Sequence, residues 1–182
     1  MGKAIGMVEF ITVSAGMTGA DTMIKTSDVE VMECATVCPG KYIVIISGDL
    51  SAVKASVEAA KTLEPEKIID SFVLGNPHDS VFSAIYAATQ PSDVEALGVM
   101  ESFSAATAIV AADTAAKTSL VELIELRLAR GMCGKSYLLL TGSVSAVQAA
   151  IESAKESASD RGMLLDSSVI PRPDEKLWQS IL

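Results

Sequence analysis

Four stretches of this chain occur twice, in the same order. AIGMVE at residues 4–9 returns as ALGVME at 96–101, and ADTMIKTSDVEVME at 20–33 as ADTAAKTSLVELIE at 112–125. GKYIVIISGDLSAVKAS at 40–56 returns as GKSYLLLTGSVSAVQAA at 134–150, and DSFVLGNPHD at 70–79 as DSSVIPRPDE at 166–175. The offset between copies moves from 92 to 94 to 96 residues. Two two-residue insertions in the second copy account for this, one in the turn around Cys38 and one near Gly162. A repeat of this length means one folding unit used twice. The sequence therefore divides into a first domain over 1–90 and a second over 91–182, joined through the polar, proline-containing stretch ATQPSDVEA at 88–96.

Within the first copy the periodicity predicts an element order. Residues 4–13 are apolar and β-branched, hence a strand. Ser14 is placed to cap a helix over about 15–27. Residues 29–37 alternate with period two, and 41–47 form a second apolar strand. Asp49 or Ser51 caps a helix whose buried face is Val53, Val57 and Ala60. A last strand covers 68–74, and Pro77 opens a short helix. The order is β-α-β-β-α-β plus a small helix, given twice. Its fold class is α/β in the broad sense, more closely α+β: a ferredoxin-like variant with an antiparallel sheet and helices on one face.

Composition narrows the function. Apolar residues make up 49% of the 182, enough for a core, and the net charge is −9. Nucleic-acid binding needs a basic face to displace counterions, and no Lys/Arg cluster is present. The longest apolar run, Tyr42 to Ile46, falls far short of the about 20 residues that span a bilayer. The first ten residues lack the apolar core of a signal peptide. The expected location is the cytoplasm, with neither nucleic acid nor membrane as partner.

Three cysteines occur, Cys34, Cys38 and Cys133. An odd number in a cytosolic chain argues against a disulfide framework and leaves catalysis, metal binding or burial open. Four strand residues separate Cys34 from Cys38 by about 13 Å, too far for one small chelate. Cys34 therefore reads as a buried small hydrophobe.

In order and spacing, AIGMVE, ADTMIKTSDVE, the Gly-Lys turn, GDLSAVKAS and VIPRP resemble the bacterial microcompartment shell domain, twice over, and are most similar to tandem-domain shell proteins of the propanediol-utilisation type. The resemblance covers nearly the whole chain. It implies a non-enzymatic homotrimer of double domains, a pseudohexameric tile with an axial pore, packed edge to edge with other shell proteins. It places the turn between the second and third strands at the pore: Val37, Cys38, Pro39 and Gly40 in the first copy, Gly131, Met132, Cys133 and Gly134 in the second. Relatives of this type carry a [4Fe–4S] cluster on cysteines at this turn, and Cys38 matches that position. One Cys38 cannot hold a cluster, whereas three around a three-fold axis supply three of the usual four thiolates. The implied role is electron transfer across the shell, with an encapsulated redox enzyme as partner. Cys133 departs from the family pattern and is read as a bystander. Lys25, Lys117 and Arg172 match tile-edge positions, and Asn76 replaces the arginine in the first copy.

Other features take simpler readings. His78, the only histidine, has no acid or nucleophile spaced for catalysis and reads as structural or surface. SGDLS and TGSVS precede helices but lack the phosphate-loop pattern. Met163 and the other methionines read as core filler. Trp178 in the amphipathic terminus is expected to pack on its own domain or a neighbouring subunit. Two alternatives remain: a tile whose pore conducts a metabolite with no cluster, and a ferredoxin-like small-molecule-binding enzyme or sensor.

Overall fold

A computed structural model describes residues 4–91 and 94–182. Ser92 and Asp93, within the expected connector, lie outside the described residues, as do the first three. The chain folds as two compact units. The first holds the residues up to Pro77 together with Ser104–Ala106 and Ala129–Gly134; the second holds His78–Phe103, Thr107–Leu128 and Lys135–Leu182.

The first unit contains β1 (Ala4–Phe10), α1 (Val13–Thr26), β2 (Glu30–Val37), β3 (Lys41–Gly48), α2 (Leu50–Leu63), a 3-10 turn (Pro65–Lys67) and β4 (Ile68–Leu74). The sheet is antiparallel in the order β2-β3-β1-β4. Read from the other edge this is 4-1-3-2, the split βαβ arrangement expected from the sequence. Gly6, Val8 and Phe10 pair with Ile46, Val44 and Tyr42. Alternation puts these on one face, where Val8, Phe10, Tyr42, Val44 and Ile46 pack with Ala15, Ala20 and Met23 of α1 and Val53, Val57 and Ala60 of α2. Ile5, Met7, Glu9, Ile43 and Ile45 occupy the opposite face and are also fully buried. Double-sided burial explains why β1 and β3 read as near-continuous apolar runs, broken in β1 by the buried Glu9.

β1 ends at Phe10 rather than residue 13, and Thr12, not Ser14, caps α1. Thr12 is extended (φ −129°, ψ 153°), and its hydroxyl oxygen accepts the Ala15 N–H at 3.3 Å. Ser14 already lies in the first turn, where its hydroxyl cannot serve as the cap. At the other predicted cap, Asp49 holds the N-cap position of α2 without a side-chain bond.

The second unit contains α3 (Asp79–Ile85), β5 (Ala96–Ser102), most of α4 (Ala105–Thr118), β6 (Glu122–Arg127), β7 (Ser136–Gly142), α5 (Val144–Asp160), β8 (Leu164–Ile170) and α6 (Glu175–Ile181). Its sheet repeats the order, β6-β7-β5-β8. Trp178 of α6 is buried against Leu97, Ile124 and Leu139, with Val99, Tyr137, Ile170 and Ile181 around them, so the C-terminal helix packs on its own unit. α3 packs on β6. His78 caps α3 through Nδ1, which accepts the Ser80 N–H, and its own N–H donates to Asp113 Oδ1 at 2.8 Å. The structural reading of this histidine holds.

Candidate functional site

The β2–β3 connection is three residues, Cys38-Pro39-Gly40. Gly40 closes it by donating its N–H to the Val37 carbonyl at 2.9 Å, at φ +99°, a conformation that favours glycine. Val37 is buried, Cys38 half-buried, Pro39 and Gly40 exposed. The corresponding β6–β7 connection runs from Leu128 to Lys135 and is built differently. Ala129, Gly131, Cys133 and Gly134 all have positive φ, at 56°, 70°, 51° and 90°. Two of these are not glycine, so the loop stores backbone strain that its surroundings must hold.

Those surroundings lie within the first unit. The Cys38 N–H donates to the Ala129 carbonyl at 3.1 Å. Arg130 forms an ion pair with Glu33 of β2. A Cβ on Gly134 would stand 3.2 Å from Lys41 Nζ and 3.3 Å from Pro39 Cδ, so the chain passes close against the turn. The expected first-copy residues (Val37, Cys38, Pro39, Gly40) and second-copy residues (Gly131, Met132, Cys133, Gly134) therefore belong to one local assembly. The Cys133 thiol is exposed, and Cys38 is partly so.

A buried charge supports this assembly. Lys41 Nζ lies 2.9 Å from Glu9 Oε1, whose side chain is 0% exposed. Glu9 Oε2 accepts the N–H of Ala105, the first residue of α4, at 3.1 Å. A carboxylate at a helix N-terminus satisfies an orphan donor and favours the helix dipole. Next to it, the Ser104 hydroxyl donates to Asp70 Oδ2 at 2.5 Å, while Asp70 Oδ1 accepts the Ser71 N–H at 2.8 Å. Sequence reasoning missed Glu9, Asp70 and Ser104. Their signal was present, because the acids recur at Glu101 and Asp166. Arg130 carried no such signal, since it lies in the longer second loop.

The reading of Cys34 as buried is corrected. The thiol is exposed. β2 is the edge strand of the sheet, next to β3, and its alternation does not close under the helices as that of β1 and β3 does. Partial burial still raises the thiol above its usual pKa, and Cys34 helps raise Tyr42, after desolvation.

The edge candidates occupy helix and strand ends. Lys25 sits in the last turn of α1 and pairs with Asp21 at 2.7 Å; its side chain is 73% exposed. Lys117 repeats the pair with Asp113 at 2.7 Å, but there the carboxylate is only 7% exposed. Arg172 is exposed, and it lines a groove with Val94, Pro173, Trp178 and Leu182.

Among the described residues no three His, Cys, Asp or Glu side chains converge as a metal-binding set. The described residues of one chain do not by themselves supply the ligands for a cluster. Thiolate is the donor that iron–sulfur clusters take, so Cys38 fits such a group only as one chain's contribution to a shared site.

Comparison with known proteins follows the same lines. The BMC domain model matches residues 4–77 and again 96–173. The chain is 38% identical to the bacterial microcompartment shell protein PduT of Citrobacter freundii, across 100% of this chain and 99% of that protein. It is 27% identical to the carboxysome assembly protein CcmO of Synechococcus elongatus, over 98% of this chain and 68% of that one. The crystal structure of a microcompartment protein from Desulfitobacterium hafniense superposes with a TM-score of 0.88 at 46% identity, covering 98% of this chain and 99% of that one. With the family domain matched twice and the full length shared with a shell protein, this chain belongs to the bacterial microcompartment shell proteins, as a member with two tandem BMC domains.

Proposed function

We propose that the chain is a structural tile, not an enzyme, that closes as a homotrimer with a pseudohexameric outline, and that Cys38 from three copies holds a [4Fe–4S] cluster at the central pore. As a member of its family the chain resides in the microcompartment shell, within the cytoplasm. The observation that carries the redox part is the pairing of the two loops. The partly exposed Cys38 turn is braced by the Ala129 carbonyl and by Gly134, so a thiol at a turn tip is held rather than left to swing. A cluster there would supply one-electron transfer, and the encapsulated redox enzyme is the partner that such transfer implies. Cys133, exposed on the adjoining loop, is a bystander in this reading. Lys25, Lys117 and Arg172 form the edges that meet neighbouring tiles.

The test is anaerobic purification with iron and acid-labile sulfide assays and paramagnetic resonance of the reduced protein. Wild type and Cys133→Ser should carry the cluster, and Cys38→Ser should lose it. Wild type free of iron and sulfide would leave the tile with a metabolite-conducting pore instead.

A further inference from the structure

A polar cavity of about 480 Å³ opens on the second unit, between the segment that leaves α3, strand β6 and the end of α6. Ile124, Ile181 and Leu182 give it an apolar wall, and Thr89, Glu125 and Arg127 supply polar groups. Its size lies within the range of about 300–1,000 Å³ that small-molecule sites occupy, and apolar walls with a few placed polar groups are their usual make-up.

The polar groups are either fixed or unfinished. Glu125 Oε1 accepts two bonds from Arg127, from Nε–H at 2.9 Å and from Nη2–H at 2.8 Å, and Oε2 accepts the Tyr137 hydroxyl at 2.7 Å. The guanidinium carbon lies 5.5 Å from the centre of the Tyr137 ring. A guanidinium has further N–H donors, so Arg127 is held in place on one side and keeps Nη1 free to donate. Thr89 Oγ1 is buried and has no hydrogen-bond partner among the described residues. A buried hydroxyl without a partner costs stability, and such an atom calls for an explanation.

The rim that carries Thr89 is pinned. The Ala87 N–H donates to the Ala84 carbonyl at 3.1 Å and the Ala88 N–H to the Ser83 carbonyl at 3.0 Å, with Ala87 at φ +49°. These are the two bonds of a Schellman ending, where glycine is usual. The first copy shows that the fold does not require the polar cluster. Glu33 occupies the place of Glu125 but pairs with Arg130, and Ala35 and Ile43 stand where the second copy has Arg127 and Tyr137.

We infer that this cavity binds a small uncharged aliphatic molecule whose polar head both accepts and donates hydrogen bonds, a short carboxamide being the simplest example. Its carbonyl oxygen accepts from Arg127, its amide N–H donates to Thr89 Oγ1, and its chain lies on Ile124, Ile181 and Leu182. Charge decides against ions. The ionisable side chains lining the cavity are Glu125 and Arg127, one of each sign and already paired. A carboxylate would meet Glu125, an ammonium would meet Arg127, and neither finds a free counter-charge to offset its desolvation.

The test is a saturation-transfer NMR titration of the full chain with butanamide, butanoate and butylammonium. Butanamide should bind about tenfold more tightly than either ion. Thr89→Val keeps the shape and removes the orphan hydroxyl. It should weaken butanamide about fivefold and raise the thermal midpoint of the free protein, because a buried polar atom without a partner is gone. A purely structural Thr89 would move the midpoint alone. Arg127→Met with Glu125→Gln removes both charges together and should weaken butanamide about tenfold with an unchanged circular dichroism spectrum. Lys61→Ala, outside the cavity, should bind as the wild type does. Cys38→Ser should also bind normally, so that failure of the cluster and failure of this site are read separately. Butanoate bound as tightly as butanamide, an affinity unmoved by Thr89→Val, or no saturable binding of butanamide to the wild type would overturn the inference.

Discussion

The two copies solve one packing problem with opposite volumes. In the first, glycines on α1 face large side chains on the sheet: a Cβ on Gly16 would come within 2.4 Å of Tyr42, and one on Gly19 within 2.3 Å of Phe10. In the second, the corresponding helix positions are Ala108 and Ala111, and the strand positions are Ser136 and Ser102, all fully buried. Where the helix gained methyl groups, the strands lost rings. A close-packed interior requires this, because added volume must be removed nearby. The backbone plan is thus shared while the side-chain fit is private to each copy, and the same holds at the surface. The Lys–Asp pair of α1 is open to water, whereas Asp113 in α4 is nearly enclosed and holds both Lys117 and the His78 N–H.

Exchanging the helix residues gives the largest expected effect. Gly16→Ala should destabilise the protein by about 3 kcal/mol, the upper part of the range for overpacking, since the clash is with the base of the Tyr42 ring rather than a flexible tip. The mirror change, Ala108→Gly, should cost about 1 kcal/mol through helix propensity. Urea unfolding measures both, and equal costs would mean that the two interfaces are interchangeable.

A smaller contrast lies in the lysines. Lys117→Ala strands a buried carboxylate and should cost about 1–2 kcal/mol, while Lys25→Ala should stay within about 0.5 kcal/mol, as exposed pairs do. If both are tile-edge groups, each should still weaken two-dimensional sheets seen by electron microscopy without dissolving trimers. Intact sheets in the double variant would remove them from the edge.

The smallest effect concerns Tyr137, which takes the place of Ile43. Desolvation first, then its hydrogen bond to Glu125 at 2.7 Å, pushes its pKa up to about 12. The folded value lies above the unfolded one, near 10, so the neutral phenol stabilises the fold fully below pH 10. That contribution falls away as pH rises toward 12. Tyr137→Phe should flatten this part of the stability profile, and an unchanged alkaline slope would show that the phenol is not coupled to folding.

Most of the fold was legible because it is local. The period-two run over 29–37, the apolar run over 41–47 and the last strand over 68–74 match β2, β3 and β4 to within a residue, and Val53, Val57 and Ala60 were correctly read as one buried helix face. The boundary of α1 was misread because Thr12 and Ser14 are equally good caps in isolation, and the choice depends on where β1 stops. Cys34 was misread because alternation shows that a strand has two faces, not whether it lies at an edge. At the candidate site Cys38 and Gly40 were legible as a turn, but its bracing by Ala129, Arg130 and Gly134 was not.

From residue order and spacing alone follow the duplication, the β-α-β-β-α-β plan of each half, and the position of a cysteine at a turn. These depend on patterns within a few residues, or on one stretch resembling another. Folding in three dimensions settled the rest: that Glu9 is buried against Lys41 and the start of α4, that the long second loop rests on the Cys38 turn, and that Cys34 is exposed. Each of these joins groups separated by tens of residues, and such partners are chosen by which surfaces the packed sheet brings within hydrogen-bond reach, a quantity no local pattern encodes.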